Sequence, residues 1–249
     1  MEKFVTALQF LTRIPAGGPH DVTPETFGGS VKYFTLVGAV LGGILAGLCY
    51  LADPYLPANT LAALLIVVEI GLTGALHCDG LMDTVDGVFS GRSRERMLEI
   101  MKDSRVGAHG VTAFAALLLL KWSLLTDLVP SLPLAVLFIM PVLGRLAMVI
   151  AIICFPYARP EGLGKAFTLY AGRPALYFAA ALAVLLVAPW GRAAQLSLVA
   201  AAVFAYLAGR YFTKVLGGLT GDIYGAVTEL TEILVLFVAL LAWQWALPW

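Results

Sequence analysis

Residues 32–51, KYFTLVGAVLGGILAGLCYL, decide the fold class, because the stretch carries no charged side chain after its opening lysine. A helix needs about 20 mostly apolar residues to cross the hydrocarbon core of a bilayer. Further stretches of this kind lie near residues 56–76, 111–129, 132–155, 174–190, 193–216 and 224–247. The sequence therefore predicts an all-α, polytopic transmembrane helix bundle with about seven spans.

The composition of the whole chain agrees with a membrane protein. Of its 249 residues, 60% are hydrophobic and 13% are charged, and the mean hydropathy is +0.89. Soluble domains are about half apolar and about a quarter charged, and one of this size could not bury so much apolar side chain. A soluble domain, a disordered chain and a disulfide-rich secreted scaffold are therefore excluded, and we expect a single integral-membrane domain over residues 1–249.

The start of the chain predicts a short helix that lies on the membrane surface. Phe4, Ala7, Leu8, Leu11 and Ile14 fall on one helical stripe, which is typical of an amphipathic interfacial helix. The segment lacks the long apolar core and the small-residue cleavage site of a signal peptide. We therefore expect an N-terminal interfacial helix ahead of the first span.

Glycines in the first span predict a close helix contact. Gly38 and Gly42 form one small-xxx-small pair, and Gly43 and Gly47 form a second. Such pairs let two helix backbones approach closely within a membrane, so we expect a neighbouring span to pack against residues 32–51.

The placement of basic residues predicts the orientation. With the N-terminus in the cytoplasm, Lys121 and Arg145 fall within spans and only Arg192 falls outside the cell. The others then face the cytoplasm: Lys3, Arg13, Lys32, Arg92, Arg94, Arg96, Lys102, Arg105, Arg159, Lys165, Arg173, Arg210 and Lys214. Because cytoplasmic loops carry an excess of Lys and Arg, we expect a cytoplasmic N-terminus and a cytoplasmic helical connection over residues 77–110.

The connection over residues 77–110 is rich in charge, with six of the 16 acidic residues and five of the 16 basic ones. Its sequence is HCDGLMDTVDGVFSGRSRERMLEIMKDSRVGAHG. Asp79, Asp83 and Asp86 are spaced i, i+4 and i+7, so a helix would place them on one face, where like charges repel. Carboxylate oxygens suit Mg²⁺ or Mn²⁺. The spacing predicts a divalent metal site at the membrane edge, and the alternative is a solvated acidic helix face.

A second set of carboxylates lies in the last span. Asp222, Glu229 and Glu232 are spaced i, i+7 and i+10 along one helical stripe. Ionisable side chains at membrane depth usually face a cavity or a partner, and Lys121 and Arg145 are candidate partners. For Lys121 itself, the favoured interpretation is an amine that extends to the membrane surface. Asp222 lies at the predicted cytoplasmic end, so the two carboxylate sets are expected on the same side of the bilayer.

Arginines accompany the acidic residues of the connection. Arg92, Arg94 and Arg105 suit phosphate binding, because a guanidinium donates two hydrogen bonds to phosphate; ordinary membrane topology is the alternative explanation. A metal with cationic groups around it is typical of phosphoryl transfer. The sequence contains no GxxxxGK[ST] loop, so ATP hydrolysis is not indicated, and it contains no GxGxxG.

Several blocks closely resemble the adenosylcobinamide-GDP ribazoletransferase (cobalamin synthase) family over nearly the whole chain. They are FLTRIP at 10–15, residues 76–110, GRLAM at 144–148, PYARPEGLGKAF at 156–167 and TGDIYGAVTELTE at 220–232. The departures, at Thr35, Cys78 and Met82, remove no charged group. The resemblance implies a Mg²⁺-dependent transferase of the bacterial inner membrane. It would join adenosylcobinamide-GDP to α-ribazole, or to α-ribazole 5′-phosphate, and release GMP late in cobalamin biosynthesis.

Residue roles follow as hypotheses from the spacing and the resemblance together. Asp79, Asp83 and Asp86 would hold Mg²⁺ against the diphosphate, and Asp83 is also a candidate catalytic residue. Asp222 or Glu229 would complete the metal site. Asp103 or His109 is the candidate base that takes the acceptor's hydroxyl proton. The candidate substrate-binding residues are His77, Arg92, Arg94, Arg105 and Arg145.

Two rival functions remain at this point. One is a membrane phosphotransferase acting on a CDP-alcohol, which shares a DG followed by spaced aspartates. The other is a cation transporter, although transporters usually place their sites near mid-bilayer and show internal repeats. Besides the two substrates, the bilayer is the expected partner. No nucleic acid is expected, and the oligomeric state, a homo-oligomer included, stays open.

Overall fold

The computed structural model describes residues 1–17, 22–128 and 134–245. Within these ranges the chain is helical, and its only β-structure is an isolated bridge between Tyr157 and Leu219. The α-helices are α1 Glu2–Leu11, α2 Pro24–Gly29, α3 Phe34–Ala52, α4 Ala58–Thr73, α5 Leu76–Val88, α6 Arg94–Ile100, α7 Ala108–Leu128, α8 Leu134–Cys154, α9 Leu163–Tyr170, α10 Arg173–Val187, α11 Arg192–Leu216 and α12 Gly221–Gln244. Short 3₁₀ helices cover Val31–Tyr33 and Ala188–Trp190.

The membrane spans confirm the predicted fold class. Six helical segments are long and apolar enough to cross a membrane: Pro24–Ala52, Ala108–Leu128, Leu134–Cys154, Arg173–Trp190, Arg192–Leu216 and Gly221–Gln244. The helices α4 and α5 form a bent pair, which raises the number in the described ranges to as many as seven. The chain is thus an all-α, polytopic membrane protein. The predicted boundary between the third and fourth spans lies in residues 129–133, outside the described residues.

The predicted second span, near 56–76, differs most from the structure. Helix α4 ends at Thr73, and Gly74 and Ala75 both adopt left-handed backbone conformations, with φ of 63° and 60°. Because left-handed residues cannot continue a right-handed helix, the chain bends by 89° into α5. The bend directs the acidic helix α5 against α12, with which it packs extensively.

Helix α8 is the central helix of the bundle, and α3, α10, α11 and α12 pack around it. A Cβ atom at Gly38 or Gly42 would collide with the backbone of α8, at Pro141 and Phe138 respectively. This contact confirms the prediction for the first glycine pair. At Gly43 and Gly47, by contrast, an added Cβ would meet no atom of the described residues within 4 Å beyond the neighbouring part of its own helix, so the second pair makes no such contact.

The N-terminal helix α1 forms as predicted and packs against α2 and α3. Ala7, Leu8 and Leu11 on its apolar stripe are buried. The bundle itself therefore covers much of this stripe. The position of α1 at the membrane surface stays a prediction.

Candidate active site

A cavity of about 490 Å³ opens where α1, α5, α8, α12 and the segment before α9 meet. Its wall combines apolar and aromatic side chains with five charged ones: Asp79, Lys102, Arg159, Glu161 and Asp222. Concave, mostly apolar cavities with a few converging polar groups are the usual form of a small-molecule site. This cavity is therefore the candidate active site.

Two glycines bring the acidic residues of α5 and α12 together. An added Cβ at Gly80 would lie 2.6 Å from the carbonyl oxygen of Asp222, and one at Gly225 would lie 3.0 Å from the carbonyl oxygen of His77. The two helix backbones thus touch at these points. As a result Asp79 and Asp222 share the cavity wall, and the two carboxylate sets of the sequence meet.

Asp83 lies one turn after Asp79 on α5 and is partly buried. It is close enough to Asp79, Asp86 and Asp222 to be influenced by their charges, and Arg159 is the cation that acts on it. Asp83 therefore belongs to the same acidic cluster, although it is not part of the cavity wall as Asp79 is.

Asp86 has a structural role that its spacing did not reveal. One of its carboxylate oxygens accepts a hydrogen bond from the backbone N–H of Gly107 at 2.7 Å, and the other accepts one from Gly110 at 2.8 Å. These N–H groups belong to the start of α7 and have no partner within that helix. Asp86 therefore caps α7, and its role as a metal ligand stays a prediction.

Arg159 is a site residue that the sequence reasoning did not select. Its Nη2 donates to Asp222 Oδ2 at 2.7 Å and to the carbonyl oxygen of Met101 at 3.3 Å. Thr220 also donates to the same Asp222 oxygen, at 3.1 Å. The block PYARPEGLGKAF, in which Arg159 lies between two prolines, was the available signal.

A small backbone pairing places Arg159 beside Asp222. The N–H of Ala158 donates to the carbonyl oxygen of Leu219, and the N–H of Leu219 donates to that of Pro156, both at 2.8 Å. These bonds fasten the segment after α8 to the segment before α12. The cationic and the acidic residue therefore reach the cavity from separate parts of the chain.

The predicted phosphate-binding arginines lie elsewhere. Arg94 Nε donates to the carbonyl oxygen of Leu216 at 2.6 Å, at the end of α11, and Arg105 forms an exposed ion pair with Asp103. Arg92 is exposed. Within the described residues the basic side chains on the cavity wall are Lys102 and Arg159. Arg92, Arg94 and Arg105 are not on the cavity wall, and their proposed role in phosphate binding stays a prediction.

The two candidate bases differ from each other in environment, but neither is on the cavity wall. Hydrogen bonds from Arg105 lower the pKa of Asp103 to about 2, and a carboxylate with so low a pKa is a weak base at neutral pH. His109 is exposed on the first turn of α7. His77, a predicted substrate-binding residue, does line the cavity and is 1% exposed.

A buried ionic cluster occupies the interior of the bundle. Lys121 Nζ lies 2.8 Å from Glu69, 2.6 Å from Glu232 and 3.5 Å from Glu229, and Arg145 forms an ion pair with Glu232. Arg145 is thus confirmed as a partner of the last span's acids. The favoured prediction for Lys121, an amine at the membrane surface, is wrong, because Lys121 is 3% exposed and its amine contacts three glutamates. Glu229 and Arg145 lie in this cluster rather than on the cavity wall.

The donor set on the cavity wall fits one particular kind of metal binding. Among the described residues, no three His, Cys, Asp or Glu side chains form a ready-made metal site. Mg²⁺ is, however, usually bound by one or two carboxylates together with substrate phosphates. The carboxylates of Asp79 and Asp222, with Asp83 close by, are hard oxygen donors that fit a Mg²⁺ ion arriving with a phosphorylated substrate.

Comparisons with known proteins agree with one another. The model of the cobalamin-5-phosphate synthase family matches residues 3–240. A protein of Desulfitobacterium hafniense (strain Y51), named adenosylcobinamide-GDP ribazoletransferase, is 45% identical, with 96% of each chain covered. Relatives with the same name from Roseiflexus sp. (strain RS-1) and Desulforamulus reducens are each 44% identical. The match to the Roseiflexus protein covers 92% of this chain and 86% of the relative, and the match to the Desulforamulus protein covers 96% of each. No solved structure matches the chain.

Proposed function

The chain is a multi-pass membrane enzyme of the cobalamin-5-phosphate synthase family, and on that premise we propose that it transfers a cobinamide phosphate group from adenosylcobinamide-GDP to α-ribazole or α-ribazole 5′-phosphate. The relatives' name gives the donor and a ribazole acceptor. The observation that carries the proposal is the cavity on which Asp79, Asp222, Lys102 and Arg159 converge.

The proposed reaction is a displacement at phosphorus. The oxygen of a ribazole hydroxyl forms a bond to the phosphorus that is attached to the cobinamide arm. The bridging P–O bond to the second phosphate breaks, and GMP leaves with that bond's electron pair. The hydroxyl proton passes to a base. Positioning and charge neutralisation supply most of the catalysis in phosphoryl transfer.

Lys102 and Arg159 suit the diphosphate of the donor. Both are on the cavity wall, and a positively charged donor close to phosphate oxygens stabilises the charge that develops as GMP leaves. Arg159 is already fixed by Asp222 and by the carbonyl oxygen of Met101. It therefore loses little conformational freedom when it contacts substrate.

We also propose Mg²⁺ as the cofactor, held by Asp79, Asp83 and Asp222. When bound, this ion would supply Lewis-acid stabilisation of the phosphate oxygens. The hydrogen bonds that Asp222 accepts from Arg159 and Thr220 orient its carboxylate. Asp86 and Glu229 belong to the predicted ligand set, but both carboxylates already have other partners. Asp86 accepts hydrogen bonds from the start of α7, and Glu229 contacts Lys121.

The proposed location is the bacterial inner membrane, with the cavity facing the cytoplasm. Lys102 and Arg159 on the cavity wall belong to two connections that together carry eight of the chain's 16 basic residues. Cytoplasmic connections carry such an excess. A nucleotide-linked donor would then reach the site from the cytoplasm without crossing the bilayer.

The direct test is GMP release by the purified protein. The expected result is release that requires adenosylcobinamide-GDP, α-ribazole 5′-phosphate and Mg²⁺ together, and that EDTA abolishes. Release without an acceptor would indicate hydrolysis instead of transfer. No release from folded protein, in detergent and in lipid, would contradict the proposed substrates, and CDP-alcohol donors would be assayed next.

A further inference from the structure

A second cavity, of about 500 Å³, adjoins the candidate active site. It lies between α1, α2 and the start of α9, and its wall includes Phe27 from α2 and Ala166 from α9. Phe10 and Gly162 line both cavities. The two cavities therefore share a boundary, and a ligand that reaches across it would touch both walls.

The two walls differ in charge. The wall of the first cavity carries five charged side chains, whereas the described residues on the wall of the second carry none. The second wall is mostly apolar, and Thr6 and Gln9 are the polar side chains among its described residues. A diphosphate would lose its hydration there without a cation in exchange, whereas an uncharged apolar ring gains from burial. The second cavity thus suits an uncharged group, and the first suits the phosphates.

The aromatic rings of the second wall are fixed by their neighbours. Phe10 and Phe27 meet edge to face, with ring centroids 5.0 Å apart. The buried Phe167 stacks on Phe27 at 4.6 Å and contacts Phe10 at 5.6 Å. Aromatic rings favour stacked and edge-to-face contacts with one another, and side chains that are already ordered lose little freedom on binding. The wall is therefore suited to a flat aromatic ligand.

Resting on the proposed function, we infer that the second cavity binds the aromatic base of the acceptor. α-Ribazole is a dimethylbenzimidazole ring joined to ribose, so it has an uncharged apolar end and a hydroxylated end. With the ring in the second cavity, the ribose lies at the boundary formed by Phe10 and Gly162. Its hydroxyl groups then reach the first cavity, where Asp79, Asp222 and Arg159 converge.

The groups of the donor suit the second cavity less well. The corrin ring with its amide side chains is too large for a volume of about 500 Å³. Guanine carries several hydrogen-bonding groups, which need partners when they are buried, and the described wall offers two polar side chains. One of these, Gln9, already donates from Nε2 to the carbonyl oxygen of Ala16 at 2.6 Å. Guanine binding is nevertheless a distinct outcome of the test, because it would change the KM of the donor.

The first experiment replaces Ala166 with Met, whose long apolar side chain fills part of the second cavity and changes no charge. We expect the KM of α-ribazole to rise about tenfold or more, because the ring loses its space. The KM of adenosylcobinamide-GDP, and kcat with saturating acceptor, should stay within about threefold of the wild-type values. Thr168→Met, at an exposed position of α9 outside both cavities, is the matched control and should behave as the wild type.

The second experiment compares α-ribazole with the α-riboside of unmethylated benzimidazole. Burial of two methyl groups against an apolar wall should give α-ribazole an about tenfold higher kcat/KM in the wild type. Phe27→Leu keeps the wall apolar and nearly conserves its volume, but it removes an aromatic contact. The KM of both acceptors should therefore rise about threefold or more in this variant.

The outcomes separate the inference from the proposed function. An active wild type with an unchanged acceptor KM in folded Ala166→Met would overturn the inference and leave the proposed function intact, and so would a raised KM of the donor alone. If Ala166→Met does not fold, unchanged acceptor KM values in Phe27→Leu would overturn the inference.

If the wild type releases no GMP, the proposed function fails, and calorimetric titration with α-ribazole decides the inference on its own. Binding by the wild type that is weakened in Ala166→Met, or in Phe27→Leu, would still support the cavity. No binding by the wild type, or equal binding by the wild type and the folded variant, would overturn the inference as well.

Discussion

At the scale of single residues, the contact between Arg159 and Asp222 connects the cation and the carboxylates of the site. Arg159 comes from the segment after α8 and Asp222 from the start of α12, 63 residues apart in the chain. The bond leaves Arg159 facing the cavity on one side and Met101 on the other. Its proposed role is to neutralise the diphosphate, while it also orients a proposed metal ligand.

Replacement of Arg159 by Met should lower kcat/KM for GMP release about 10- to 100-fold, because hydrogen bonds to charged groups contribute about 1.5–3 kcal/mol. Arg159→Lys keeps the charge but loses the planar donor, and an intermediate activity is expected. Arg210→Met, an exposed arginine of α11, serves as the control. Wild-type kinetics in Arg159→Met would contradict the role proposed for Arg159.

Asp83 provides the second prediction at this scale. Asp83→Asn keeps the shape of the side chain but removes the charge that acts within the acidic cluster. We expect GMP release to fall about 100- to 1000-fold, which is the loss seen when electrostatic groups are removed from active sites, and the Mg²⁺ concentration for half-maximal rate to rise. Asp53→Asn, at the exposed end of α3, should have no effect. Near-normal turnover by folded Asp83→Asn would exclude Asp83 from the metal site.

The sequence could predict that the acidic residues of α5 and Asp222 meet on one side of the bilayer, because helical spacing and the expected topology place them there, and Asp79 and Asp222 do share the cavity wall. It could not separate Asp86 from them, since the cap on α7 depends on where the backbone of Gly107 and Gly110 lies. The block PYARPEGLGKAF marked the segment of Arg159, but the role of Arg159 was hidden, because its partner Asp222 becomes adjacent only through the bridge between Tyr157 and Leu219. Contacts between distant segments carry no local pattern.

At the scale of helices, the contact between α5 and α12 sets the geometry of the site. Glycine is required here for close approach, since a Cβ at Gly80 would lie 2.6 Å from a backbone oxygen that cannot turn aside. The sequence predicted the spans themselves from their apolar length. It did not predict the bend between α4 and α5, because the apolar pattern continues to Leu76 through the left-handed residues Gly74 and Ala75.

Gly80→Ala tests this contact directly. The added methyl group must separate α5 from α12, so we expect a loss of stability of about 1–3 kcal/mol, as for other overpacked sites, and a loss of GMP release. Gly43→Ala is the matched control, because its Cβ would meet no atom of the described residues within 4 Å beyond the neighbouring part of its own helix. Thermal unfolding in detergent and the GMP assay measure the two effects. Equal behaviour of both variants would show that the close approach is unnecessary.

At the scale of the whole molecule, the buried ionic cluster joins four helices behind the cavity. Glu69 comes from α4, Lys121 from α7, Arg145 from α8, and Glu229 and Glu232 from α12. Its ions are shielded from water and from lipid, so their mutual pairing is required. The cluster therefore fixes the relative positions of α4 and α12, and with them the bend that leads into α5.

Lys121 is the residue on which this arrangement depends, because it contacts all three glutamates of the cluster. Lys121→Met leaves those carboxylates with Arg145 as their cation, and breaking a buried ion pair in this way costs about 3–5 kcal/mol. We expect that loss in denaturant unfolding in detergent micelles. The double variant Lys121→Met/Glu69→Gln removes one negative charge as well and should regain part of the stability. If Lys121→Met proved as stable as the wild type, or if the double variant were the less stable of the two, the cluster could not be what fixes α4 relative to α12.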